Sequence, residues 1–178
     1  DATTPVTITA GQFTMPAYDV TVAAEFEPIF DVEIASGISN GAVTATPDSD
    51  ITVGTQVTLT ATPALGYALK AGSLKAYKSD DESVVVEITD GVFTMPAYDV
   101  TVTAEFEPIF DVEIASGISN GAVTATPDSD VTVGTQVTLT AIPDAGYKLK
   151  TGTLKAHKTG DATTPVTITA GQFTMPAY

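Results

Sequence analysis

The strongest constraint on this chain is that it repeats. Phe-Thr-Met-Pro-Ala-Tyr occurs at Phe13–Tyr18, Phe93–Tyr98 and Phe173–Tyr178, at a constant spacing of 80 residues. Residues 19–98 and 99–178 align without a gap and match at 62 of 80 positions. Self-similarity of that kind marks a tandem array, in which each unit contacts mainly its neighbours, and excludes a single fold running through the whole chain. Each unit is long enough to enclose a small core, though a thin one. A second period overlies the first. Residues 1–18 are identical to 161–178 but differ from 81–98, so the units alternate in type with a super-period of 160 residues.

Within the unit, apolar and polar residues alternate, and β-branched side chains carry the pattern. In 99–107, Val100, Val102, Ala104 and Phe106 share one face while Thr101, Thr103, Glu105 and Glu107 share the other. A slip of one residue would expose the whole apolar set, so register is strongly specified. Strands are expected over 30–35, 42–46, 55–62, 67–70, 73–78, 83–89, 92–95 and 99–107. Ser39-Asn40-Gly41 and Thr89-Asp90-Gly91 have the residues of tight hairpin turns, and Gly72 marks a bulge or bend. Pro165 replaces Val85, so its strand should be an edge, or begin there. No segment has helical period and caps. These signals predict an all-β chain of small sandwich-like or partly open barrel units of about 80 residues. The core should include Phe30, Val32, Ile34, Val43, Val57, Leu59, Tyr67, Leu69, Leu74, Val86, Ile88, Phe93, Met95, Val100, Val102 and Phe106.

Glu25-Phe26-Glu27-Pro28-Ile29-Phe30 and Glu105-Phe106-Glu107-Pro108-Ile109-Phe110 join one unit to the next. The joints centre on Pro28, Ile29, Pro108 and Ile109, with proline fixing φ and no Gly/Ser linker to loosen them. The joints divide the chain into 1–28, the final strands of a preceding repeat; 29–108, a complete repeat; and 109–178, a repeat without its last strand. Two readings account for this frame. The chain is a window on a longer array. Alternatively, Asp19–Glu27 of one molecule, with Asp19, Val20, Val22 and Phe26 as its principal residues, completes the open unit of another, because an unpaired sheet edge is a template for a further strand.

Composition narrows the function. The chain carries 22 acidic residues and 7 lysines, with no arginine, for a net charge of −15. Phosphate binding needs basic clusters, so nucleic acid is not expected as a partner, nor is an anionic membrane surface. No apolar run approaches the ~20 residues that cross a bilayer, so no membrane insertion is expected, and Asp1–Pro5 has no signal-peptide character. With no cysteine there are neither disulfides nor thiolate metal sites.

Material for catalysis is scarce. His157 is the only histidine, and Tyr77 stands at its place in the other unit, which suits a solvent-facing strand residue better than a base. The pairs Asp48/Asp50 and Asp128/Asp130 offer oxygen ligands for Ca²⁺ but lack a surrounding calcium motif, so solvated loops are preferred and no cofactor is expected. Asn40 and Asn120, the only asparagines and thus the only candidates for a Lys–Asn isopeptide bond, sit in turns. Tyr18, Tyr98, Tyr67 and Tyr147 suit packing more than an aromatic sugar platform.

Val57-Thr-Leu-Thr-Ala-Thr-Pro-Ala-Leu-Gly-Tyr67 and Phe93-Thr-Met-Pro-Ala-Tyr-Asp-Val-Thr-Val-Thr-Ala-Glu-Phe106 resemble the divergent internalin-type B-repeat. Gly41-Ala-Val, Pro47 and Gly54 belong to the same pattern, which covers both units. The resemblance implies large, secreted or wall-attached bacterial proteins and no catalytic residues. The better-known internalin B-repeat has a β-grasp-like α+β fold, which is the alternative architecture. The expected function is a non-enzymatic stalk, spacer or filament segment outside the bacterial cell, its partners neighbouring repeats or copies of itself. The alternative is an adhesin module binding a host or matrix glycan or protein.

Overall fold

The structure, a computed structural model, describes residues 5–177. Among these residues there is no helix, so the all-β expectation holds and the helix-bearing β-grasp alternative does not. The first unit contains β1 (Ile29–Phe30), β2 (Val32–Ile34), β3 (Gly41–Thr46), β4 (Ile51–Thr52), β5 (Gln56–Pro63), β6 (Tyr67–Leu69), β7 (Lys75–Lys78), β8 (Asp81–Val86), β9 (Val92–Thr94) and β10 (Val100–Thr103). β11 (Phe106–Phe110) crosses into the second unit. That unit continues with β12 (Gly121–Thr126), β13 (Val131–Thr132), β14 (Gln136–Pro143), β15 (Ala156–Lys158), β16 (Asp161–Val166) and β17 (Gln172–Thr174).

The strands form several small sheets and no closed barrel. In the first unit one sheet runs β3-β5-β9, all antiparallel, and a second runs β2-β10-β7-β8. Alternation sends one face of each into a shared core. Val57 is fully buried, and Val43, Leu59, Phe93 and Met95 join it from the first sheet; Val32, Ala76, Val100 and Val102 join from the second. Ile51 and Ala76 are core residues that apolar alternation underrates, the first because β4 is only two residues long, while Ala104 joins the core on the face that alternation assigns it.

Several local expectations change. The strand expected over 99–107 is two strands, β10 and β11, separated at Ala104–Glu105 because the chain leaves one set of partners for another. Asn40 does adopt positive φ (62°), but no hairpin forms there, since β3 pairs with β5 and not with β2. Gly72 lies in the turn between β6 and β7, at φ 71°, not in a strand. The segment expected as 83–89 is β8, Asp81–Val86, and its counterpart β16 pairs only with β15, leaving Pro165 on an edge where a missing N–H costs no ladder bond. Thr89–Val92 is a two-residue hairpin with Asp90 and Gly91 both at positive φ, as such turns demand.

Candidate strand-accepting site

In the first unit the segment 99–107 is a central structural member. β10 lies between β2, which it meets in parallel, and β7, which it meets antiparallel. Val100 N–H donates to Asp31 O at 3.0 Å and Ala35 N–H to Val102 O at 2.8 Å. Asp99 adds its carboxylate, which accepts from Asp31 N–H at 3.0 Å. Thr101 donates to the Ser79 hydroxyl at 2.9 Å. Ser73 clasps Lys70 to Glu105: its hydroxyl donates to Lys70 O at 2.7 Å, accepts from Glu105 N–H at 3.1 Å and lies 3.0 Å from Glu105 O. Phe106 is 8 % exposed and its ring lies over Gly41 so closely that a Cβ there would come within 2.6 Å of it.

The second unit keeps the sheet β12-β14-β17 in the same register as β3-β5-β9. Residues 109–177 contain no counterpart of β10, and the other strands of that sheet are not joined there. Residues 112–114 form no strand and β15–β16 stand alone; 147–149, the counterpart of β6, which pairs with β11 in a separate sheet, also form no strand. Side chains that pack on the core in the first unit are open here. Ile114 is 41 % exposed, Tyr147 58 % and Leu149 46 %, where Ile34, Tyr67 and Leu69 are partly buried. Between 110–123 on one side and 147–160 on the other runs a cleft of about 1320 Å³, with Leu139, Phe173 and Met175 in its lining. Thr153, at the position of Ser73, donates its hydroxyl to Lys150 O at 2.7 Å, as Ser73 does to Lys70 O.

Residues 19–27 repeat 99–107 at every position except Ala23, where the other segment has Thr103. They form no strand and make no sheet pairing. Asp19 is exposed, Val20 half-buried, Val22 exposed, and Phe26 is 95 % exposed against 8 % for its equivalent Phe106. The two joints differ likewise. Pro108 and Ile109 lie within β11, which pairs with β6 through 106–108 and with β13 through 109–110. Ile109 N–H also donates to Gly66 O at 3.0 Å, so the second unit begins while still bonded to the first. Pro28 precedes β1 without a partner, and Ile29 pairs only onward, with Thr52.

Sequence reasoning singles out the strand but not the features that receive it. Gly41, and by position Gly121, have the sequence setting of turn glycines, whereas Gly41 is the floor on which an aromatic ring rests. The Asp99 carboxylate and the Ser73 clasp also escape it, since no local pattern announces either. The exposed ion pair of Lys70 with Glu105 spans the same junction. The bond and charge of Glu105 raise the Lys70 ammonium above its usual value, and Lys70 lowers the Glu105 carboxyl in return.

The other candidates lie apart from this site. Asp50 donates its N–H to the Asp31 carboxylate at 3.0 Å and Asp130 its N–H to the Asp111 carboxylate at 3.2 Å, so these loops brace the residue that follows β1 in one unit and β11 in the other. Among the described residues no group of three or more His, Cys, Asp or Glu side chains gathers as metal ligands would. His157 is exposed, its Nδ1 3.1 Å from Lys158 O. Tyr67 and Tyr98 pack against the core, and Lys78 Nζ lies 5.8 Å from the Tyr98 ring centre, while Tyr147 borders the cleft.

A family model described as a divergent InlB B-repeat domain matches residues 32–110 and again 112–178. Searches of curated proteins and of solved structures gave no significant match.

Proposed function

Since the chain belongs to the divergent InlB B-repeat domain family, we propose that it is a non-catalytic structural repeat of a bacterial extracellular or surface protein, a semi-rigid stalk, spacer or filament segment whose units also join end to end between molecules. The join is strand complementation. Residues 19–27 of one copy enter the cleft of the second unit of another and there play the part of 99–107. The observation that carries this reading is that residues 19–27 match, at all positions but Ala23, the segment 99–107 that supplies β10 and enters β11 in the first unit, so a segment of this sequence is what a cleft of this kind receives.

The chemistry is complementary residue by residue. Asp19 would accept from Asp111 N–H, as Asp99 does from Asp31. Glu25 would meet Lys150 and the Thr153 hydroxyl, as Glu105 meets Lys70 and Ser73. Phe26 would cover Gly121, with Val20 and Val22 facing Leu139, Phe173 and Met175. Main-chain pairing supplies affinity in such additions, and alternate side chains set the register. Pro28 and Ile29 would then continue the strand as Pro108 and Ile109 do, reproducing the internal joint between molecules. A join of one surface with a different surface propagates when its rotation does not close into a ring and the strands are not exchanged reciprocally within a pair. Net charge of −15 keeps neighbouring stretches apart except where strands pair.

The test is one redesigned chain in which residues 1–28 are deleted and Asp-Val-Thr-Val-Thr-Ala-Glu-Phe-Glu is added after Tyr178. By light scattering the parent chain should grow with concentration and the redesigned chain should stay monomeric. Unchanged oligomer size would defeat the assembly. Small-angle scattering should give an elongated envelope for the monomer, and a compact one would defeat the stalk. Glycan binding at Tyr67 and Tyr147 is the less supported reading, because Tyr67 is engaged with the core.

A further inference from the structure

We propose that the parallel pair β2–β10 is a mechanical clamp, which makes the repeat a load-bearing element as well as a spacer. Among the described residues every strand pairing is antiparallel except this one, and it joins a strand beside the unit's beginning to one beside its end. The chain enters the unit through β1 and β2 and leaves through β10 and β11. Tension between neighbouring units therefore draws β2 toward its own N-terminal end and β10 toward its own C-terminal end. Because the two strands run the same way and lie side by side, those pulls slide them past one another along a common line.

In that geometry the bonds between the strands are loaded together. Bonds pulled apart across the strands would instead fail one at a time. The register Val100–Val32, Thr101–Glu33 and Val102–Ile34 is closed at one end by Val100 N–H to Asp31 O and at the other by Ala35 N–H to Val102 O. Val100 and Val102 are 0 % exposed and Val32 is 7 % exposed, so water has no ready access to a bond as it opens. A backbone group that breaks its bond where water cannot replace it carries the full cost of desolvation.

Neighbouring contacts resist the same slide. Asp31 N–H is held by the Asp99 carboxylate, and Val32 N–H donates to Asp48 O at 2.9 Å. At the far end Lys70 N–H donates to Glu105 O at 2.9 Å while β11 is gripped by β6. β7 flanks β10 on its other side, so β10 is held along both edges. Within residues 109–177 there is no parallel pair, and the β12-β14-β17 sheet holds neither of the strands through which load would pass. Where residues 19–27 of another copy fill the slot, the link between molecules acquires the same parallel pair beside 112–114. That last step rests on the assembly proposed above, whereas the clamp of the first unit does not.

Forced unfolding reads the barrier to rupture and not the equilibrium stability, so direction of pull separates the two. The chain has no cysteine, which allows paired handles to be placed at will. Glu27→Cys with Glu113→Cys pulls the first unit along the proposed line. Glu33→Cys with Glu82→Cys pulls across the β2-β10-β7-β8 sheet, and all four positions are exposed. With thermal midpoints matched to the parent, the first pair should need roughly twofold or more the force of the second at one loading rate. Equal forces would overturn the clamp.

Pulling the parent by its termini gives a second readout. The second unit should release first, at lower force, and a single shared force would count against the clamp. Adding Asp-Val-Thr-Val-Thr-Ala-Glu-Phe-Glu after Tyr178, with the handle beyond it, should raise the second unit to the level of the first. This measurement needs no contact between molecules, so its result and that of the assembly test are independent. A second unit that stays weak while hydrogen exchange shows the added strand docked would also overturn the clamp.

Discussion

Residues 29–98 and 109–178 match at 53 of 70 positions yet adopt different amounts of structure, and the difference shows what packs against the 99–107 segment. Both contain Val-Glu-Ile after the joint, at Val32–Ile34 and 112–114, but only the first copy is a strand. Both contain the long hairpin that β5 and β14 make with β3 and β12, and there the copies agree residue for residue. The unit thus consists of a three-stranded sheet present in both copies and a second sheet assembled on β10. Removing a central strand differs from removing an edge. It leaves two unpaired edges facing each other, and neither can close the gap alone.

The sharpest way to break this comparison is to make one substitution at two equivalent phenylalanines. Phe106→Ala removes a buried ring and should destabilise the first unit by about 3–5 kcal/mol in denaturant unfolding. Phe26→Ala, at a position 95 % exposed, should leave the dilute monomer unchanged while preventing growth in light scattering. Equal destabilisation of the monomer by both would mean that residues 19–27 are already packed, and the contrast between the units would collapse. A smaller loss is expected at the floor beneath the ring. Gly41→Ala places a Cβ 2.6 Å from the Phe106 ring, and overpacking of that kind costs roughly 1–3 kcal/mol. In a Phe106→Ala background the same change should cost far less, and an undiminished cost would show that Gly41 serves its own backbone and not the ring.

The array and its all-β character were legible because repetition and alternation are properties of the sequence itself. The Thr-x-Gly turn shows the limit of that reading. It forms at Thr9–Gln12, Thr89–Val92 and Thr169–Gln172 alike, since two positive-φ residues suffice. The packing of the segment after the turn is not local. Phe93 and Met95 are buried against β5, while Phe13 is 37 % and Met15 61 % exposed, with no strand paired beside them among the described residues. For the same reason Asn40-Gly41 looked like a hairpin but is not one, because pairing is decided by strands distant in sequence. The parallel register of Val32 with Val100 joins residues at opposite ends of the unit, and no window of neighbouring residues contains it.

A near-neutral change should confirm that β8 and β16 are interchangeable edges. Val85→Pro gives the first unit the residue that its counterpart has at Pro165, on a strand whose outer side has no partner. The expected loss is within about 0.5 kcal/mol in thermal or denaturant unfolding, the range of ordinary surface substitutions. Proline at Val102, within the central strand β10, should instead unfold the dependent sheet. A large loss at Val85 would show that β8 has a partner on its outer side in solution, so that the two edges are not equivalent.

The smallest difference lies at the turn before those edges, and it can be read by pH. Asp161 accepts from the Thr163 hydroxyl at 2.6 Å, the Thr164 hydroxyl at 2.6 Å and Thr163 N–H at 2.9 Å, which together hold its carboxyl down to about 2. Asp81 is shifted in the same direction by the Ser83 hydroxyl and N–H, but Val84 stands where the second unit has Thr164. Bonds that favour the charged form lower the folded value beneath that of the unfolded chain. Their contribution is therefore complete above the ordinary carboxylate value of ~3.9 and fades as pH falls toward about 2. Carboxyl titration by NMR should place Asp161 below Asp81. Thr164→Val should lift Asp161 toward Asp81, and Val84→Thr should draw Asp81 down. If Asp161 stays in place after Thr164→Val, the third hydroxyl is not what separates the two turns, and their difference must come from the unequal sheets on which they sit.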